Sequence, residues 1–100
     1  MVNFKGTNLV TTSVDNMQTG QTTMNSSSAV QITTNDGPLN HGIFLVAKDS
    51  ASYYIGGASV SASTGVKVSA NNPIFIPISD PSRLYCISGG DSKVLSYICY

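Results

Sequence analysis

The sequence predicts an all-β protein: a single β-sandwich, of jelly-roll or immunoglobulin-like type, built from seven to nine short strands. Three observations carry this expectation. Glu is absent and Ala, Leu and Lys are sparse, whereas Val and Ile supply 17 residues and Ser and Thr supply 24, the usage of pleated, half-buried surfaces. Short apolar runs recur at roughly ten-residue spacing, as in sandwiches and barrels. Between them stand clusters of Gly, Pro, Asn and Asp, which form turns. One hundred residues, 41% of them hydrophobic, suffice for one domain with one modest core.

Taken in order, residues 1–28 are rich in Thr, Ser and Asn with isolated apolar side chains at Phe4, Leu9, Val10, Met17 and Met24. Only residues 8–14 read as a strand there. Residues 18–28 hold one apolar side chain in eleven and bury too little to offset their ordering entropy. They are expected to form a long loop or an arm that orders on a partner, or else a solvated edge strand. The β-sandwich proper is therefore placed at residues 29–100.

Ala29, Val30 and Ile32 open a strand, Asn35-Asp36-Gly37-Pro38 and Asn40-His41-Gly42 are stacked turn formers, and Ile43 to Ala47 is an unbroken apolar run suited to a central strand. The two strands read as a buried hairpin pair. Lys48-Asp49-Ser50 makes a polar turn and Tyr53 to Gly56 a short strand. Ala58, Val60 and Ala62 alternate with serines, the period of a further strand. Residues 66–69 follow Gly65, and Ile74, Ile76 and Ile78 alternate with Phe75 and Pro77. Pro77 lacks an amide donor, so this strand belongs at an edge or a bulge. Residues 84–88 and 93–100 flank Gly89-Gly90-Asp91-Ser92, which reads as a hairpin loop. Tyr100 falls inside strand-like sequence and is expected to be docked.

In that hairpin Cys86 faces Leu95, and Cys99 lies four residues further along, roughly 13 Å away at about 3.3 Å per residue. A disulfide needs Cα atoms within about 7 Å, so both cysteines are expected to be free, small core hydrophobes. Free thiols fit a reducing compartment.

Five basic and five acidic residues give a formal net charge of zero. The cations Lys5, Lys48, Lys67, Arg83 and Lys93 stand singly, whereas phosphate binding needs them clustered, so nucleic acid is not an expected partner. The apolar run Ile43 to Ala47 is far too short to span a bilayer, and the first residues lack the layout of a signal peptide. The sequence thus places the protein in the cytosol and away from membranes.

Chemistry is equally sparse. His41 is the one imidazole, set in a turn without a nucleophile elbow. Asp15, Asp36, Asp49, Asp80 and Asp91 each sit where turn capping explains them. The Gly56-Gly57 and Gly89-Gly90 pairs lack the Lys and the helix of a phosphate loop; with Gly65 they read as structural turns. Asn25-Ser26-Ser27 matches a glycosylation sequon without a secretion signal. No enzyme, metal site or cofactor is indicated.

The tyrosines are more informative, because Tyr offers large contact area at low entropic cost. Adjacent Tyr53 and Tyr54 must point to opposite faces. In the expected terminal hairpin both faces are apolar, with Tyr85 and Tyr100 on one and Tyr97 on the other, a pattern of a central pair covered on both sides or of a subunit interface.

Residues 54–97 resemble a pattern in small virion proteins of tailed bacteriophages: Ile55-Gly56-Gly57 after a short strand, Val60-Ser61-Ala62-Ser63-Thr64-Gly65, an Ile-rich strand from Ile74 to Ile78, Leu84-Tyr85-Cys86-Ile87-Ser88-Gly89, and a closing strand around Leu95-Ser96-Tyr97. The resemblance is to capsid decoration (cement) proteins. It implies a non-enzymatic homo-oligomer, often a trimer, that is assembled in the host cytoplasm and bridges copies of a major capsid protein in the virion. Candidate oligomer or capsid contacts are then Phe4, Leu9, Val10, Met17 and Met24 in the N-terminal region and Tyr53, Tyr54, Tyr85 and Tyr100 on the strands. A second expectation is a tail-fibre or spike module in which Tyr53 and Tyr54 stack on host glycans.

Overall fold

The computed structural model describes residues 17–47 and 52–100. Among the described residues there are eight strands, β1 (Gln18–Met24), β2 (Val30–Gln31), β3 (Ile43–Ala47), β4 (Tyr53–Gly56), β5 (Val66–Val68), β6 (Ile74–Ile76), β7 (Tyr85–Ser88) and β8 (Lys93–Cys99), and one 3-10 turn at Pro81–Arg83. They form two four-stranded sheets. Sheet I has the order β1-β8-β3-β6 and sheet II the order β2-β7-β4-β5.

Every pairing is antiparallel, and the pairs are nested: β1 with β8, β2 with β7, β3 with β6, and β4 with β5. The chain is thus one long double ribbon, turned back between β4 and β5. Rolling that ribbon brings β3 beside β8 and β4 beside β7, which closes the two sheets of an eight-stranded jelly roll. The expected all-β sandwich is therefore of the jelly-roll kind.

This topology corrects the two expected hairpins. Strands β2 and β3 lie in different sheets, and so do β7 and β8. The short link Gly89–Ser92 passes from one sheet to the other instead of reversing within one. Cys86 consequently pairs with Val30 and Ile55 across sheet II, not with Leu95. Both cysteines are free and buried, Cys86 in β7 of sheet II and Cys99 in β8 of sheet I.

The inward-facing rows supply the core. Ile43, Leu45 and Ala47 of β3 alternate inward with Leu95 and Cys99 of β8, and Tyr53, Ile55, Val68 and Cys86 meet them from sheet II. Complete burial of an Ile or Leu side chain contributes about 1.5–3 kcal/mol, so the two central strands of sheet I hold much of the stability. The Ile-rich strand ends at Ile76, directly before Pro77, and β6 is an edge strand, as the missing amide requires.

Of the alternatives expected for residues 18–28, residues 18–24 take the edge strand and not the loop or the free arm. They form the edge strand β1, seven residues long and paired with β8 along its whole length, so the sandwich begins before residue 29. Its inward side is mostly polar, and those groups bond to the adjoining chain. The Thr22 hydroxyl donates to the Ile32 carbonyl at 2.5 Å and the Thr33 hydroxyl to Gln18 Oε1 at 2.7 Å. Met24 closes the strand fully buried. The serines that follow are also ordered: Asn25 Oδ1 accepts from the amides of Ser27 and Ser28 at 3.2 and 2.8 Å, an Asx turn.

Residues 58–62, which alternate like a strand, instead make a loop between β4 and β5. Val60 turns back onto sheet II. A methyl group at Gly56 or Gly65 would come within 2.8 or 2.6 Å of Val60 Cγ2, so the two glycines make the notch into which Val60 is buried.

Candidate interaction face

The outward side of sheet I follows from strand alternation. With Ile43, Leu45, Leu95 and Cys99 turned inward, Phe44, Val46, Ser96 and Ile98 must point out. The register then aligns one row straight across the sheet: Thr19 beside Ile98, Ile98 beside Phe44, and Phe44 beside Phe75. Phe44 is 39% exposed and Phe75 is 42% exposed, unusual for Phe in a small domain. Between β3 and β8 the face carries a shallow pocket of about 200 Å³ lined by Phe44, Val46, Ser96, Tyr97 and Ile98.

The rings at the end of the row are seated by Gly42. Its φ of +150° suits glycine, and a Cβ there would lie 2.9 Å from Phe75 Cζ, so the bare backbone leaves room for the Phe75 ring. Tyr100 is held by Gly42, whose amide donates to the Tyr100 carbonyl while the Tyr100 amide donates back, each at 3.0 Å. Its ring centroid lies 6.3 Å from that of Phe75 and 5.2 Å from that of His41, spacings of favourable aromatic contact. His41 is thus an exposed turn residue packed on Tyr100.

No charged side chain points out of the strands of this face: its outward positions are Thr, Gln, Ser, Val, Ile and Phe. A surface of this kind loses little hydration energy when covered.

The residues expected to make contacts fall into three groups. Phe4, Leu9 and Val10, with the expected strand at residues 8–14, lie outside the described residues, as does the expected turn at residues 48–50. Met24 and Tyr53 belong to the core, each with no exposed surface, and neither can serve as a contact. Burial pushes the Tyr53 hydroxyl up to about 12 with a smaller contribution from Cys86, and that hydroxyl has no hydrogen-bond partner. Met17 is well exposed, Tyr54 and Tyr85 are half-buried on the outward side of sheet II, and Tyr100 stands on the face just described.

Gly56, Gly57, Gly65, Gly89 and Gly90 all lie at strand ends or in the links between strands. A second pocket, about 320 Å³, opens beside the Val60 notch among Gly56, Gly57, Ser59, Val60 and Thr64. No charged or unpartnered buried group lines it.

Sequence reasoning did not single out Phe44 and Phe75, although both signals were present. Five consecutive apolar residues in one strand oblige alternate members to face outward, and Phe75 stands out of phase with Ile74 and Ile76.

The remaining chemistry is structural. Burial pushes the Cys86 thiol up to about 12, while its Sγ donates to the Val30 carbonyl at 3.6 Å. Burial also raises Cys99, against a hydrogen bond from the Asn35 side-chain amide that pulls the other way. Among the described residues no group of three or more His, Cys or Asp side chains could hold a metal ion, and no helix is long and apolar enough to cross a membrane.

Fold and face together define a jelly-roll domain with one uncharged aromatic surface. Comparison of the chain with known protein families, curated proteins and solved structures finds no match.

Proposed function

We propose that this protein is a non-enzymatic structural component that works by self-association and by covering a larger surface, in the manner of a capsid decoration protein on a tailed-phage shell. The observation that carries the reading is the uncharged outward face of sheet I, with Phe44 and Phe75 exposed in one cross-strand row. Such a face stabilises an assembly through burial at about 25 cal/mol per Å² of apolar area, and it has almost no charge to desolvate. The jelly roll adds support by analogy alone, since it is a recurrent architecture of viral coats. The resemblance of residues 54–97 to small virion proteins supplies the setting.

The glycan-stacking alternative loses half of its aromatic pair, because Tyr53 is in the core.

Cryo-electron microscopy of particles purified from the cells that make the chain tests the proposal. Density for the jelly roll at repeating positions on a shell supports it. Recovery of the chain only outside every particle fraction contradicts it.

A further inference from the structure

We infer that the outward face of sheet I is a self-complementary contact between two copies of this chain, in which Phe75 of each copy enters the pocket beside Phe44 on the other. The inference rests on the structural reading above and names the partner of that face.

Three observations support a second copy as the occupant. The first is charge. A partner of different kind is normally selected by complementary charge, and the outward residues of these strands offer none. A copy of the same face is uncharged by construction, so two such faces meet with neither repulsion nor an unpaired ion. Residues 1–16 of the chain itself match it less well, because they would bring Lys5 and Asp15 to a face that carries no charge.

The second observation is shape. The face holds both a projection and a recess: Phe75 stands on the edge strand β6, and the pocket of about 200 Å³ lies between β3 and β8. A cavity of about 150 Å³ can accept benzene, so the recess has room for a phenyl ring. A two-fold axis running between ring and recess makes both insertions at once, as an isologous contact requires.

The third is preorganisation. Phe75 is supported on one side, by the bare backbone of Gly42 and by Tyr100 at 6.3 Å, while 42% of it stays open. A ring already fixed in place loses little rotamer freedom on binding.

The test is a complementation experiment read by native mass spectrometry and sedimentation velocity on the full chain. Phe75→Ala removes the projection, and Ser96→Phe fills the recess from an outward position that the core does not feel. Each variant alone is expected to weaken pairing by about tenfold or more. Mixed together they should form heterodimers, because the second variant's intact Phe75 still finds the first variant's open recess.

The inference is overturned if either variant pairs as tightly as the wild type, if mixing restores nothing, or if the wild type stays monomeric at millimolar concentration. It is equally overturned if the wild type pairs only after residues 1–16 are deleted, which would make that segment the occupant. Repeating particle density for the chain, found alongside any of these failures, would leave the structural reading standing while removing this contact.

Discussion

Asp91 holds Ser26 by two hydrogen bonds, its Oδ1 accepting from the Ser26 amide at 2.9 Å and from the Ser26 hydroxyl at 2.8 Å. The pair ties the turn after β1 to the link between β7 and β8, across 65 residues of sequence. These bonds to Ser26 hold the Asp91 carboxyl below its ordinary value of 3.8. Asp80 is lowered too, chiefly by the Ser82 hydroxyl at 2.5 Å. A depressed carboxylate contributes stability above its unfolded pKa, and that contribution is lost as pH falls through the folded value. Thermal midpoints should therefore decline below about pH 4, and Asp91→Ala should lower the midpoint at pH 7 and flatten the acid decline. An unchanged acid profile in Asp91→Ala would count against this tie.

Alkaline pH probes the core. Cys86 and Tyr53 are each pushed up to about 12, from ordinary values of 9.0 and 10.0. Raised pKa values stabilise the fold fully below the unfolded values and lose that effect as pH climbs toward the folded ones. Stability should fall between about pH 9 and 12, by at most about 1.4 kcal/mol per pH unit per group. Tyr53→Phe removes a buried hydroxyl that has no partner, so denaturant titration at pH 7 should show a gain of about 1 kcal/mol together with a gentler alkaline slope.

Met24 distinguishes an integral β1 from a detachable arm. The side chain is fully buried in the core, and truncation of such a residue costs about 2–5 kcal/mol. Urea unfolding of Met24→Ala should show a loss of that size in one cooperative transition. A loss below about 0.5 kcal/mol, the range of surface substitutions, would mean that β1 adds little to the fold.

Gly65→Ala tests the Val60 notch. The new methyl would lie 2.6 Å from Val60 Cγ2 and 2.8 Å from Tyr54 Cβ, so the loop must move. Overpacking of this kind costs about 1–3 kcal/mol. Combining it with Val60→Ala should return part of that loss, and a double-mutant cycle with no coupling would argue against the contact.

Most strand positions are legible in the sequence because alternation and turn formers mark them, from Ile43 to Ala47 through to the last strand. The partition into sheets is not. A four-residue link such as Gly89–Ser92 ordinarily joins neighbours in one sheet, but in a rolled ribbon each strand pairs with its nested counterpart far away in the sequence. Strand β1 is legible only as one of two alternatives, for another reason: Gln18, Gly20 and Thr22 point inward without apolar side chains, and the strand is held by its ladder to β8 and its bonds to residues 32 and 33. Val60 misleads in the opposite sense, since alternation with serines imitates a strand when the loop merely anchors one side chain. The outward rings of Phe44 and Phe75 were legible only in part, because their face depends on which neighbours the fold supplies.

Solvent paramagnetic relaxation of the Phe44 and Phe75 ring protons, measured with a soluble nitroxide at low and at high protein concentration, tests the central claim most directly. Strong broadening of both rings is expected in the dilute protein and marked protection of both at high concentration, with Tyr54 on the other sheet unchanged. Equal broadening of the two rings at every concentration would contradict it.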